Sequence, residues 1–117
     1  MDLELIQENK TWEESLNYCT QHNSGLASLS DSAIMELAVN IASEVQAVNI
    51  WTGLRFLAAQ WFWVNGGDVK YKAWSADGEP LCPAMNQRCG ALDRNRKMWN
   101  PQNCQDRLHF ICSKRRK

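Results

Sequence analysis

The chain has no excess of charge of either sign: 13 lysines and arginines stand against 13 acids over 117 residues. A protein that neutralises a phosphate backbone needs a basic excess, so a general nucleic-acid binder is excluded. Also absent is the run of about 18 apolar residues that a membrane helix requires, and no membrane insertion by this chain is expected. No signal peptide is expected within these residues. If the protein is secreted, its targeting segment lies outside these residues, and Met1 reads as the start of a domain cut from something longer. Histidine is scarce, with only His22 and His109, and the cysteines form no Cys-x-x-Cys pair. Zinc-ligand spacing is therefore missing. There is no Gly-x-Ser-x-Gly, no paired-histidine metal motif and no phosphate-cradling glycine loop. Neither catalysis nor a cofactor is expected.

What is present is an ordinary globular balance, 44% hydrophobic and 22% charged, carrying six tryptophans and five cysteines. This length suits one domain. Each indole covers a large area and wants a hydrogen-bond partner when buried, so many should anchor the core or a binding face. Cys19, Cys82, Cys89, Cys104 and Cys112 are dispersed, which reads as disulfides formed in an oxidising, extracellular setting. Spacing does not assign the pairs, and the odd cysteine must be free or bonded to another molecule.

Leu3 and Leu5 suggest a short first strand. Thr11 then opens a helix, with Glu14 three residues on completing a capping box. Trp12, Leu16 and Cys19 make one buried stripe, and Gly25 is the expected stop. Leu26 to Leu29 form an apolar link. Ser30, Asp31 and Ser32 offer caps for a second helix whose core face reads as Ile34, Leu37, Ile41 and Val45. Val48, Ile50, Trp51 and Leu54 then read as a buried strand. Trp61 to Val64 runs into the turn signal Asn65-Gly66-Gly67. From Trp74 to about Met85 the chain is turn-rich, a long irregular loop of the kind that carries function. Cys89 to Leu92, Met98-Trp99 and Leu108 to Cys112 look like closing strands. Helices first and strands later predict an α+β fold over residues 1–117, with 113–117 as a basic tail. Lys114 to Lys117 read as a solvated tail or linker start.

The ordered landmarks resemble the C-type lectin-like domain, in its short form without the extra amino-terminal hairpin. Trp51-Thr52-Gly53-Leu54 is similar to that family's Trp-Ile-Gly-Leu core motif. Trp63, Asn65, Gly66, Tyr71 and Trp74 resemble its tryptophan–glycine–tyrosine–tryptophan stretch. Glu79-Pro80, Cys89, Trp99-Asn100, Cys104 and Phe110-Ile111-Cys112 follow in family order. Modules of fish immune-type receptors and mannose-receptor-like arrays look most alike. The resemblance implies two helices packed on small antiparallel sheets beneath a long loop. It also implies the pairs Cys19–Cys112 and Cys89–Cys104, the first closing a loop of roughly 90 residues worth about 4–5 kcal/mol.

The resemblance further implies a place where calcium-dependent members hold the ion that sugar hydroxyls coordinate. Here Glu79 and Asn100 match the family's ligands, whereas Leu81, Gln87 and Pro101 replace an amide or acid, a glutamate and an aspartate. Calcium takes about six to eight oxygens, several of them carboxylate. At about 1.5–3 kcal/mol per lost charged contact, affinity should fall on the order of several hundredfold or more. No metal is expected, and Glu79 reads as a turn carboxylate.

The expected recognition surface is then Asp77, Glu79, Leu81, Met85, Asn86, Arg88, Arg94, Arg96 and Asn100, a mixture suited to a protein ligand or to a glycan bound without calcium. Two rivals remain: a calcium-dependent lectin with a degraded site, and an assembly module, a homodimer bonded through Cys82. Asn9-Lys10-Thr11 is a glycosylation sequon whose threonine also serves as the helix cap. His22 is expected to face solvent, and His109 to be a surface or packing residue.

Overall fold

The computed structural model describes residues 2–22, 25–57, 60–64, 69, 71–74, 83–85 and 87–114. The first strand, β1 (Asp2–Lys10), is longer than two alternating leucines suggested. It pairs antiparallel with the last, β7 (Leu108–Lys114), from Asp2↔Lys114 to Ile6↔Phe110, and resumes at Lys10↔Leu108 after a bulge. Ser113 and Lys114 therefore belong to the sheet, and the expected tail loses its first two residues.

Thr11 caps α1 (Trp12–Gln21) as the sequence implied: its hydroxyl accepts from Glu14 N–H at 3.3 Å, and Glu14 Oε1 accepts from Thr11 N–H at 3.0 Å. Trp12, Ser15 and Cys19 are buried, while Leu16 is half-buried. The helix stops before Gly25. His22 closes it, its N–H donating to the Cys19 carbonyl at 3.2 Å while Nδ1 donates to the Tyr18 carbonyl at 2.8 Å. Gly25 instead enters β2 (Gly25–Leu26), paired to Ser113 of β7.

Asp31 caps α2 (Ser32–Ala42) through a 2.9 Å bond to Ile34 N–H. Its buried face is Met35, Ala38 and Ala42, with Val45 buried just beyond; Ile34 and Ile41 are half-buried and Leu37 is exposed. The contact stripe is rotated by about one residue, roughly 100°, from the expected one. Two alanines let the helix axis approach the sheet closely, and the bulkier side chains flank that line.

The strands β3 (Asn49–Leu57), β4 (Gln60–Trp63), β5 (Cys89–Asp93) and β6 (Met98–Gln102) complete one connected sheet in the order β1-β7-β3-β5-β6, with β2 on β7 and β4 on β3. The α+β class holds. Wholly antiparallel pairing does not, because β3 and β7 run parallel at Ile50↔His109 and Trp51↔Phe110. Central parallel strands are buried on both faces, and β3 accordingly is buried at Ile50, Trp51, Thr52, Gly53 and Leu54. Val48, expected inside, precedes the strand and is half exposed.

Alternation along the strands divides the core. Ile50, Leu54, Leu92 and Ile111 face α2 and the aromatic group of Trp61, Trp63, Trp74 and Trp99. Trp51, Ala91, Phe110 and Cys112 face α1. Gly90 sits where a Cβ would lie 2.3 Å from Leu54 Cβ, so the β3–β5 contact requires glycine. Both implied disulfides form: Cys19–Cys112 joins α1 to β7, and Cys89–Cys104 joins the start of β5 to the residues after β6.

Candidate functional site

The tip between β5 and β6 is built by one carboxylate. Asp93 Oδ1 accepts from the N–H groups of Asn95 and Arg96 at 3.0 and 3.1 Å, an Asx-type turn. Its Oδ2 accepts from Asn100 Nδ2 at 2.9 Å. Lys97 N–H donates to the Asp93 carbonyl at 2.8 Å, and Lys97 takes a positive φ of 59° to bring the chain back. Arg94 N–H donates to the Val48 carbonyl at 2.8 Å, which sets exposed Val48 beside the tip. The outcome is a small apolar spot, with Arg94, Arg96 and Lys97 around a carboxylate turned inward.

Of the residues expected to form the recognition surface, Arg94, Arg96 and Asn100 are brought together here. Met85 and Arg88 are not among them. Arg88 sits before Cys89 at the other end of β5, its guanidinium 5.9 Å from the Phe56 ring centroid. Six extended residue steps along β5 place the two arginine sites roughly 20 Å apart. Met85 is 86% exposed, on the turn in which Gln87 N–H donates to the Ala84 carbonyl. Asp77, Glu79, Leu81, Asn86 and Cys82 lie outside the described residues.

Asp93 and Val48 were missed from sequence. Asp93 followed by Arg-Asn-Arg carried an Asx-turn signal, but the adjoining strand residues masked it. Val48 looked like a strand residue because β-branching is all that a single position reveals.

Three of the positions that the family resemblance matched to calcium ligands are described. Gln87 is an exposed neutral amide, Pro101 has no side-chain oxygen, and Asn100 gives its amide to Asp93. The Asp93 carboxylate, buried and holding three hydrogen bonds, is committed to the turn. Among the described residues no group of three or more His, Cys, Asp or Glu side chains could hold a metal. Nor do these residues assemble a cysteine–histidine nucleophile, because Cys19, Cys89, Cys104 and Cys112 are all disulfide-bonded. His22 is exposed and stacks on Tyr18 at 4.2 Å, while half-buried His109 lies in β7.

Asn9 is exposed in the bulge of β1 between Ile6 and Lys10, where no β7 residue is paired to it. Among the described residues no helix is long and apolar enough to cross a membrane.

The family model described as "Lectin C-type domain" matches residues 8–114. The chain is 32% identical over 115 residues to C-type lectin lectoxin-Phi1 of Philodryas olfersii, covering 92% of this chain and 73% of that protein. It is 30% identical over 112 residues to the Homo sapiens secretory phospholipase A2 receptor, covering 94% of this chain. The chain spans 8% of the length of that receptor and of its Bos taurus counterpart. Among solved structures, human lithostathine superposes with a TM-score of 0.83 at 23% identity, over 94% of this chain and 80% of that one. The last likeness speaks to the fold.

Proposed function

The chain belongs to the lectin C-type domain family, and from that premise we propose a non-catalytic extracellular recognition module that binds a protein ligand, or a glycan without calcium. The contact face is the β5–β6 tip, with Arg94, Arg96 and Asn100. One observation carries the calcium-independent part of this reading: the Asp93 carboxylate, to which Asn100 donates, already accepts three hydrogen bonds. Moving it onto a cation would strip the turn of its organising acceptor. The neutral side chains at Gln87 and Pro101 point the same way.

A protein ligand is favoured by the composition of the tip. Arginine next to an exposed valine suits a surface that mixes charge with apolar contact. The name of the secretory phospholipase A2 receptors gives those relatives a protein ligand, which supports the same choice. The two disulfides support an oxidising location.

The test is a cell-surface interaction screen and a glycan array, each run with calcium and with chelator, beside a calorimetric calcium titration. Binding that survives chelator and weakens on combined Arg94→Glu and Arg96→Glu replacement is the expected result. Sugar retention that vanishes with chelator, accompanied by a saturable calcium heat, would overturn it.

A further inference from the structure

Alternation turns one side of the β3–β4 hairpin away from the aromatic core. Leu54, Phe56, Trp61 and Trp63 face that core, which leaves Arg55, Leu57, Phe62 and Val64 on the other side. Helix α1 covers this second side in part. Between them lies a cleft of about 340 Å³, walled by Leu16, Leu57, Phe62 and Val64 and floored by Trp12 and Arg55. Leu57 is 49% exposed there.

Arg55 is the basic group of this cleft. Its guanidinium lies 5.0 Å from the Trp12 ring centroid. Nη1 reaches the disulfide sulfurs of Cys89 at 3.3 Å and Cys104 at 3.6 Å, which are weak acceptors. The buried Nε–H has no acceptor. The ion pairs of the described residues are Lys10–Glu8 and Arg107–Glu14, so none of these carboxylates serves Arg55. Among the described residues this half-buried guanidinium has surrendered part of its water without gaining an anion, and a charge-assisted bond to a carboxylate is what it lacks there.

We propose that this cleft docks a short segment of a partner protein presenting one carboxylate between large apolar side chains. The carboxylate meets Arg55, and the apolar groups cover Leu16, Leu57 and Phe62. Glu13 lines the same cleft and repels a uniformly negative strand, so sulfated polysaccharides and nucleic acids are poor occupants. At the low end of ligand clefts, which run roughly 300–1,000 Å³, the space suits a few side chains rather than a broad surface. This site is separate from the β5–β6 tip and stands without it.

Three capped peptides with a Leu-X-Phe centre flanked by glycine and serine, X being glutamate, glutamine or lysine, serve as probes of the oxidised full chain by NMR. The glutamate peptide should shift the Arg55 Nε–H and the amides of Leu57 and Phe62. The glutamine peptide should bind about tenfold more weakly or worse, the lysine peptide weaker still. Arg55→Met should erase the preference for glutamate over glutamine, and Leu57→Ser should weaken all three peptides alike. If Arg55→Met does not fold, the glutamate–glutamine comparison on the native chain and the Leu57→Ser variant decide. Equal binding of the glutamate and glutamine peptides would overturn the proposal. So would shifts confined to the residues around Asp93, equal displacement by heparin, or no shift at several millimolar peptide.

Discussion

Five of the buried indoles in this molecule fall into two kinds. Trp51 donates from Nε1 to the carbonyls of Lys10 at 3.0 Å and Asp106 at 3.3 Å, and Trp12 donates to that of Thr52 at 2.8 Å. Trp63, Trp74 and Trp99 bury Nε1 without a partner. They pack on one another instead, Trp63 meeting Trp99 edge-on at 5.2 Å. Trp51 and Trp63 are almost equally buried, at 0% and 1% exposure, so truncation to phenylalanine removes similar apolar area from each. The difference between them is the donor. Trp51→Phe should therefore destabilise by about 1–2 kcal/mol more than Trp63→Phe, because it strands two carbonyls. Urea unfolding midpoints of the two variants measure this directly.

At the scale of elements, α1 and the β5–β6 hairpin are each held by a carboxylate, with opposite exposure. The Thr11 backbone N–H holds Glu14 below the ordinary carboxylate range, helped by the Arg107 guanidinium and the Thr11 hydroxyl. A depressed folded value means that this cap stabilises above the unfolded carboxylate value and is lost as pH falls through the folded one. The loss belongs below about pH 4.3, the free glutamate value. Glu14→Gln keeps an acceptor for Thr11 N–H, so stability near neutrality should change little. Its decline below that pH should be shallower than in the native chain, which thermal melts across pH 2–6 would reveal. In the hairpin, Asp93→Asn puts an amide N–H against Asn100 Nδ2 while retaining one turn acceptor. The expected cost is about 1–3 kcal/mol, with amide exchange quickened at Asn95 and Arg96 while α1 stays protected.

Across the whole molecule, the two disulfides differ in the chain they constrain. Cys19 and Cys112 are 93 positions apart, Cys89 and Cys104 only 15. On loop entropy, removing the first by paired alanine replacement should cost about 4–5 kcal/mol and the second about 3. Small domains hold roughly 5–15 kcal/mol in total. The first variant should thus approach global unfolding at physiological temperature, and the second should remain folded with a lower urea midpoint. The longer bridge also fastens α1 to β7 across the face opposite α2, so its loss releases the wall of the Arg55 cleft.

The order of elements, both helix caps and the burial of Trp12 and Trp51 were determined by local chemistry that a single chain displays: hydroxyl and carboxylate spacing at caps, apolar periodicity, bulky residues in strand runs. The disulfide pairs became legible through family resemblance. Only the tertiary structure decided which face of α2 met the sheet, because Ala38 and Ala42 are weak hydrophobes whose value lies in close approach. It alone made β7 run parallel to β3, a register set by the return of the chain from distant positions. It alone, too, turned Asp93 inward and set Arg55 against the Trp12 ring and the Cys89–Cys104 sulfurs, since a charged side chain's partners are chosen in space and have no spacing along the sequence.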